Sequence, residues 1–388
     1  MNISAAERVQ KIPPYIFAHI DKLKREARDR GVDLVDFGIG DPDLPTPPHI
    51  VEALAAGAAR PEHHRYPAYE GSLPTRQAVA DFYARRFGVE LDPKSEVLTL
   101  IGSKEGIAHL PLAITNRGDL ALVPDPAYPV YATTTRFVDG EVFRFGLDAE
   151  REFLPDLDGI PAEVAARAKL IYINYPNNPT GGVATLDDLA RIDAFARRHG
   201  LIVVSDLAYS EMYFEDPPPP SYLQLPGAKE RCLEFYSLSK TYNMTGWRIG
   251  FALGNPTLVA ALGKIKTNLD SGVFGAVQEA AVAAMSGDQE CVARMRAVYR
   301  ERRDLLVGAL RRKGLSLRSP KATFYVFVKV PGGTSSMDFT VRLLQQAGIV
   351  VTPGIGFGEG GEGFVRFALS VSAERIQEAV ARLERFGL

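Results

Sequence analysis

Short runs of apolar residues alternate along this chain with longer amphipathic segments. Five of the runs read as buried β-strands, and they end near Leu100, Val123, Ile173, Val204 and Tyr236. Each connection between them is long enough to hold a crossover helix, and helical spacing of apolar residues is visible in the clearest cases. Because such crossovers make strands parallel, the pattern predicts an α/β fold built on a mostly parallel sheet.

The two ends of the chain carry a different pattern. Helical spacing predicts a helix over residues 16–30, and residues 32–39 read as a short strand. The last hundred or so residues predict a small α+β unit, whose expected elements are helices near 289–313, 336–347 and 374–386 and strands near 323–330 and 364–371. We therefore expect an arm that also joins the small domain (1–45), a large domain (46–285) and a small C-terminal domain (286–388).

Composition excludes several classes of partner. The 388 residues are 46% hydrophobic and 24% charged, with a formal net charge of −2, so neither nucleic acid nor a membrane surface is expected as a partner. No apolar run is long enough to span a membrane, and the N-terminus lacks a basic-then-apolar secretion signal. Cys232 and Cys291 lie in apolar stretches without metal-ligand spacing, which predicts core thiols and a cytoplasmic protein. The adjacent His63 and His64 favour a polar loop, and no metal is expected.

Lys240 is the first candidate for chemistry. It lies just past the strand that ends at Tyr236, where doubly wound folds place their ligands. An isolated lysine is ordinarily a solvated surface charge. Here Ser237, Ser239 and Arg248 bracket it, and hydroxyls with a guanidinium suit a phosphate dianion. A lysine desolvated beside such a cationic pocket has a lowered pKa and can attack a carbonyl to form a Schiff base.

Other strand ends carry polar groups too. The strand that ends at Leu100 passes into a glycine turn with Ser103 and Lys104 and then into a helix, an arrangement that aims backbone amides at an anion. Asp206 ends an apolar strand, where a carboxylate is costly unless a cation meets it, with a helix N-cap as the alternative. Because carboxyl ends of parallel strands share one edge of a sheet, these groups should converge with Lys240 on one site.

Three motifs give the chain a resemblance to a known family. They are Ser-x-Ser-Lys-x7-Arg from Ser237, Asn-x-Pro-x-Asn-Pro-Thr-Gly from Asn174, and Asp-x-Ala-Tyr from Asp206. Together they resemble the class I/II aminotransferases of fold type I, which use pyridoxal 5'-phosphate (PLP). The resemblance implies a large domain with a mostly parallel seven-stranded sheet flanked by helices, and a small α+β domain formed by both chain ends.

The resemblance also implies roles around PLP. Lys240 would hold the cofactor as a Schiff base and move the substrate proton, and Asp206 would keep the ring nitrogen protonated. Tyr209 would be the third catalytic group, bonded to the ring oxygen. The remaining cofactor contacts would come from Ser103, Lys104, Tyr128, Asn178, Ser237, Ser239 and Arg248. Among these, Tyr128 would stack on the ring, although from the residues alone it could simply pack.

Tyr66 and Arg366 extend the resemblance to a partner and a substrate. From the residues alone, Tyr66 could simply pack, and Arg366 in its apolar strand could form either a structural ion pair or a grip on a carboxylate. The resemblance implies that Tyr66 reaches across a homodimer to the partner's PLP phosphate. It implies that Arg366 holds the α-carboxylate of the substrate.

A narrower likeness is to the LL-diaminopimelate aminotransferases, carried by segments 38–43 (GIGDPD) and 266–272 (KTNLDSG) among others. It implies ping-pong transfer between an amino acid and a 2-oxo acid in lysine biosynthesis, with LL-diaminopimelate and the glutamate/2-oxoglutarate pair as substrates. The implied substrate contacts are Tyr15, Gly40, Lys104, Tyr128, Asn178, Asn268 and Arg366. The proline-rich segment around Gly40 could also be only a linker.

Other functions stay open at this point. Aspartate, alanine or aromatic amino acids could be the substrates, because specificity depends on the geometry of the pocket. A PLP-dependent C–S β-lyase would share nearly every cofactor residue. A non-catalytic PLP-binding regulator would need a DNA-binding domain, and the chain begins almost directly with its first predicted helix.

Overall fold

The computed structural model describes residues 3–10, 12 and 16–387, with side chains in the last range from residue 19 onward. Tyr15, one of the predicted substrate contacts, lies outside the described residues. The strands are β1 (Val35–Asp36), β2 (Val97–Leu100), β3 (Leu120–Asp125), β4 (Glu141–Asp148), β5 (Leu154–Pro155), β6 (Ala168–Ile173), β7 (Ile202–Asp206), β8 (Cys232–Ser237), β9 (Gly250–Gly254), β10 (Tyr325–Lys329), β11 (Ile349–Val350), β12 (Thr352–Pro353) and β13 (Phe364–Ala368).

The helices lie between and after these strands. They are α1 (Glu7–Gln10), α2 (Ile16–Asp29), α3 (Pro48–Ala58), α4 (Leu73–Phe87), α5 (Ser103–Ile114), α6 (Val130–Phe137), α7 (Ala162–Arg167), α8 (Leu186–His199), α9 (Leu238–Thr241), α10 (Pro256–Leu269), α11 (Gly275–Ser286), α12 (Glu290–Arg312), α13 (Ser336–Ala347) and α14 (Ala373–Arg385). In the part of the chain that the structure describes, no helix is both long and apolar enough to cross a membrane.

The central sheet has the strand order β2-β9-β8-β7-β6-β3-β4-β5. Strands β8, β7, β6, β3 and β4 pair in parallel, and β9 lies antiparallel between β2 and β8. Since β2 and β8 are both antiparallel to β9, they point the same way. All five strands predicted from the apolar runs therefore end at one edge of the sheet, and the predicted fold class is confirmed.

The number of strands differs from the seven expected, because the sheet has eight. The far edge is formed by β4 and the two-residue β5, which pairs antiparallel to it. Strand β4 is only partly buried along most of its length. An edge strand of this kind mixes polar and apolar residues, so it lacks the continuous apolar run that marks a central strand.

Both faces of the central sheet are covered by helices. Along β7, Val203 packs into one hydrophobic core and Val204 into the other. The second core contains residues of α5, α6 and α10, including Tyr131 and Leu262. This alternation of burial is what a parallel strand with helices on each side requires. It explains why the central strands read as unbroken apolar runs.

A smaller set of strands joins the two ends of the chain. Strand β1 pairs in parallel with β11, where Val35 lies opposite Ile349. Strand β13 lies between β10 and β12, antiparallel to both. The predicted contribution of both chain ends to a smaller α+β unit is therefore present, whereas the proposed domain limits stay a prediction. Cys291 differs from expectation, because it is only half-buried, while Cys232 is fully buried.

Candidate active site

A cavity of about 1130 Å³ opens at the carboxyl ends of the central strands. Residues from the central sheet, from β12 and β13, and from the N-terminal loop around Gly40 all contribute to its walls. The predicted site residues that it brings together are Gly40, Ser103, Lys104, Tyr128, Asn178, Asp206, Tyr209, Ser237, Ser239, Lys240, Arg248 and Arg366. Residues spread over the whole chain therefore meet in one place, as the shared edge of a parallel sheet allows.

Two predicted site residues lie elsewhere in this chain. Tyr66 is 87% exposed on the surface. Asn268 is also exposed, near the end of α10, where its Nδ2 donates to the Lys264 carbonyl at 2.8 Å. Neither side chain lines the cavity of its own chain.

Lys240 lies in the short helix α9, directly after β8. Ser237 caps that helix by accepting a hydrogen bond from the Ser239 amide at 3.2 Å. The Lys240 amine donates to the Gly40 carbonyl at 2.9 Å. The pKa of Lys240 is lowered from 10.5 to about 8, mainly by burial. The charge of Arg366 contributes to this shift, while the charge of Asp41 opposes it. A substantial fraction of the amine is therefore neutral near physiological pH and can act as a nucleophile.

Asp206 is buried at the end of β7. The Tyr131 hydroxyl donates to its Oδ2 at 2.7 Å, and no described residue hydrogen-bonds to its Oδ1. Burial raises the pKa of Asp206 from 3.8 to about 6, although the Tyr131 hydrogen bond opposes the shift. The alternative of a helix N-cap is wrong, because no helix begins at Leu207 and the Leu207 amide instead donates to the Phe235 carbonyl at 2.8 Å. A buried oxygen of this kind suits a cationic ring N–H.

The residues predicted to form an anion cradle lie together where β8, β9 and α5 meet. Ser103 is the first residue of α5, and a backbone amide at a helix start has no partner within the helix. Gly102 has φ +81, and an added Cβ there would overlap the guanidinium of Arg248. That guanidinium is held by its Nη1, which donates to the Thr245 carbonyl at 2.8 Å. A guanidinium, helix-start amides and the hydroxyls of Ser237 and Ser239 together suit a phosphate.

Arg366 lies on β13 opposite Thr352 of β12. Its Nη1 donates to Asn178 Oδ1 at 2.9 Å, and its Nη2 donates to the Gly38 carbonyl at 3.1 Å. The guanidinium also stacks 4.3 Å from the centre of the Tyr325 ring. These two acceptors and the ring fix the plane of the guanidinium, so the fork is oriented before a carboxylate arrives.

Two tyrosines of the site carried no clear signal in the sequence. Tyr131 follows Tyr128 by three residues, one helical turn, which is the only pattern that could have placed it beside Asp206. Tyr325 lies in a predicted strand and approaches Tyr209 across the cavity, with 3.1 Å between the hydroxyl oxygens. An added Cβ at Gly40 would overlap the Tyr325 hydroxyl, so only glycine fits there. The Gly40 segment is therefore part of the site and not a plain linker.

The loop that carries Gly40 is also anchored by an ion pair that the sequence did not reveal. Asp43 accepts two hydrogen bonds from Arg302 of α12, at 2.6 and 2.8 Å. Arg302 is buried, and the pair is bidentate, which is the strong form of an arginine–carboxylate contact. The long helix α12 thus also positions one wall of the cavity.

Comparisons with known proteins agree with this geometry. A family model described as aminotransferase class I and II matches residues 32–383. An LL-diaminopimelate aminotransferase of Syntrophobacter fumaroxidans is 56% identical over 380 residues, which is 98% of each chain. The solved structure of substrate-bound BacF from Bacillus subtilis has a TM-score of 0.95 at 37% identity, covering 100% of this chain and 99% of that one. A probable N-succinyldiaminopimelate aminotransferase from Thermus thermophilus has a TM-score of 0.91 at 41% identity, covering 96% and 100%.

Proposed function

We propose that this chain, which belongs to the aminotransferase class I and II family, moves an amino group between LL-diaminopimelate and the glutamate/2-oxoglutarate pair. Relatives named LL-diaminopimelate aminotransferase, 51–56% identical over nearly their whole length, support this substrate. The observation that carries the chemistry is that Lys240 and Asp206 line the same cavity. An amine with a lowered pKa and a carboxylate with a buried oxygen that no described residue hydrogen-bonds are the two groups that such a transfer needs.

The family depends on PLP, and PLP is the cofactor of this chain. When bound, PLP supplies an electron sink for the charge left at the substrate Cα when its proton is removed. Asp206 Oδ1 would accept the ring N–H, and the cradle of Ser237, Ser239, Arg248 and the amide at Ser103 would hold the phosphate. These assignments fit the orphaned oxygen of Asp206 and the space that Gly102 leaves for the guanidinium.

Asn178 and Tyr209 would hold the phenolic oxygen of PLP. Asn178 Oδ1 already accepts a hydrogen bond from Arg366, so its Nδ2 is the group that would donate to the cofactor. Burial raises the pKa of Tyr209 well above 10, with Tyr325 adding to the shift, so the phenol stays protonated and can donate as well. Tyr128 would stack on the ring, and Lys104, whose amine lies 5.7 Å from the Tyr128 ring centre, would contact cofactor or substrate.

The proton steps fall to Lys240. With a substrate bound, the Lys240 amine would act as the general base that removes the proton from Cα and as the general acid that gives this proton back. Arg366 would hold the α-carboxylate of both substrates in turn, which places Cα within reach of the amine. Since one pocket serves donor and acceptor successively, the cycle is ping-pong.

A homodimer completes the proposal. Tyr66, Tyr69, Leu269 and Phe274 are 87%, 44%, 55% and 45% exposed. Their two segments adjoin, because an added Cβ at Gly272 would lie 3.1 Å from the Ala68 carbonyl. An exposed apolar patch of this kind is typical of a protein interface, and through it Tyr66 and Asn268 would reach the partner's pocket. The two free cysteines agree with a cytoplasmic location.

The decisive experiment is a screen of amino donors with 2-oxoglutarate as acceptor, scored by glutamate formation. We expect LL-diaminopimelate to give the highest kcat/KM, ahead of aspartate, alanine and phenylalanine. A higher kcat/KM for one of those three would show that the proposed substrate is wrong, while the protein would still be an aminotransferase. Release of a thiol, pyruvate and ammonia from an S-substituted cysteine without any acceptor would instead indicate a β-lyase.

A further inference from the structure

Lys266 is a lysine whose side chain is completely buried. It lies in the last turn of α10, where its amine meets both oxygens of Asp270 at 2.8 Å and lies 3.9 Å from Oε2 of Glu105. A buried ammonium is costly unless carboxylates surround it, and a pair of this kind is strongly destabilised when one partner is removed. The mechanism proposed above makes no use of this cluster, which lies outside the cavity.

Glu105 connects the cluster to the proposed phosphate cradle. It is the third residue of α5, and its Oε2 accepts the Ile101 amide at 3.0 Å while its Oε1 bonds His109 Nδ1 at 2.7 Å. The carboxylate thereby closes the turn through Gly102 that leads into Ser103. Because the same oxygen faces Lys266, the amine of Lys266 acts on the start of α5, where the helix amides are presented.

Asp270 connects the cluster to the proposed dimer surface. Its Oδ1 accepts the Gly272 amide at 2.7 Å in addition to the Lys266 amine. Gly272 has φ +88 and packs on the segment after Tyr66, since an added Cβ would lie 3.1 Å from both Pro67 Cγ and the Ala68 carbonyl. The shape of the loop after α10 therefore determines where the Tyr66 segment lies.

We propose that Lys266 is a positioning residue that couples the two functions, because it holds the phosphate turn through Glu105 and the Tyr66 segment through Asp270. The proposal rests on the function inferred above, in which this chain binds PLP and reaches its partner's site through Tyr66. Each carboxylate fixes the backbone of its own segment, and the single buried ammonium keeps the two carboxylates in place against their mutual repulsion. By linkage, PLP binding then tightens the dimer and dimerisation tightens PLP binding to the same extent.

The test compares Lys266→Met with Lys264→Met in the full-length protein. Lys264 lies on the same helix but is exposed, which makes it a matched control. We expect Lys266→Met to raise the PLP dissociation constant about tenfold and to weaken the dimer by a similar factor, whereas Lys264→Met matches the wild type. Cofactor affinity is read from the visible absorbance of apoenzyme titrated with PLP. Dimer affinity is read from sedimentation of the apo and PLP-loaded forms.

The outcomes separate this proposal from the proposed function. If the wild-type protein neither binds PLP nor dimerises, the proposed function itself is wrong. If the wild type does both, equal PLP and dimer constants in Lys266→Met and Lys264→Met overturn the role of Lys266. A change in only one of the two constants overturns the coupling. If Lys266→Met does not fold, Glu105→Gln replaces it in the test. This variant keeps an acceptor for the Ile101 amide but removes the charge facing Lys266. Its PLP and dimer dissociation constants are measured in the same way.

Discussion

Lys240 and Asp206 face one cavity from the ends of adjacent parallel strands, β8 and β7, with Asp206 in register with Phe235. Burial moves their pKa values in opposite directions, to about 8 for the amine and to about 6 for the carboxylate. The charged forms of both groups are therefore costly without a ligand. A cofactor that bonds to the amine and gives a ring cation to the carboxylate relieves both costs at once.

Replacing Lys240 with alanine tests the covalent attachment of the cofactor. We expect the visible absorbance of bound PLP to be lost and kcat to fall by at least about a hundredfold, because both the attachment point and the proton carrier disappear. Absorbance spectra and steady-state rates measure this. Lys264→Ala, at an exposed position of α10, is the control. An unchanged spectrum in Lys240→Ala would remove Lys240 from the site.

The rate at which apoenzyme attaches PLP should depend on pH through Lys240. Only the neutral amine attacks, so the rate should rise with pH up to about 8 and level off above it, following the lowered pKa. Stopped-flow absorbance across pH 6–10 would show this plateau. A rate that keeps climbing toward pH 10.5 would mean that the amine is solvated and has its ordinary pKa.

Asp206→Asn should stabilise the apoenzyme while it reduces turnover. Because the folded pKa of about 6 exceeds the unfolded value of 3.8, folding is weakened as pH rises through this interval, and the loss persists above it. At pH 8 the buried charge costs on the order of 3 kcal/mol, which asparagine avoids while it still accepts from Tyr131. In thermal unfolding of the apo forms at pH 8, Asp206→Asn should therefore have a higher Tm than the wild type.

In the same variant, kcat should fall about a hundredfold or more, because a neutral amide cannot keep the ring nitrogen protonated. Asn is nearly the same size as Asp, so loss of shape does not explain such a drop. Full activity in Asp206→Asn would show that the carboxylate does not serve the cofactor ring.

Arg366→Gln should raise KM for amino acids and 2-oxo acids alike. Loss of a charge-assisted bidentate contact predicts an increase of about tenfold to a hundredfold, with Arg366→Lys intermediate because lysine keeps the charge but not the fork. Steady-state kinetics with several substrates measure this, and the PLP spectrum should change little. An increase for only one substrate would assign the arginine to side-chain recognition.

Tyr66 can be tested by mixing two impaired variants. If Tyr66 serves the partner's site, a hybrid of Lys240→Ala and Tyr66→Phe chains contains one intact pocket. Random reassociation of equal amounts should then restore about one quarter of the wild-type activity. Each variant dissociated and reassociated alone provides the control. Activity in the mixture equal to the mean of the two controls would show that Tyr66 does not act across the dimer.

Much of the site followed from local pattern. The five apolar runs located the strands, and Lys240 and Asp206 stood out because polar groups at the ends of buried strands are costly without a ligand. Tyr131 and Tyr325 did not stand out, since a tyrosine in an apolar segment usually packs in the core. Their roles come from contacts with Asp206 and Tyr209 that join distant parts of the chain.

The sequence by itself determined the α/β class, the strand ends and the residue types that meet there. The apolar pattern of a strand and the direction of the chain are local properties, and a parallel sheet brings the carboxyl ends of its strands to one edge. Only the tertiary structure decided that Asp206 has an oxygen with no partner in the described part of the chain, that Arg366 is oriented by Asn178, and that Lys266 lies buried between Glu105 and Asp270. These are relations between side chains far apart in sequence. Their energies depend on distance and desolvation, which no local pattern records.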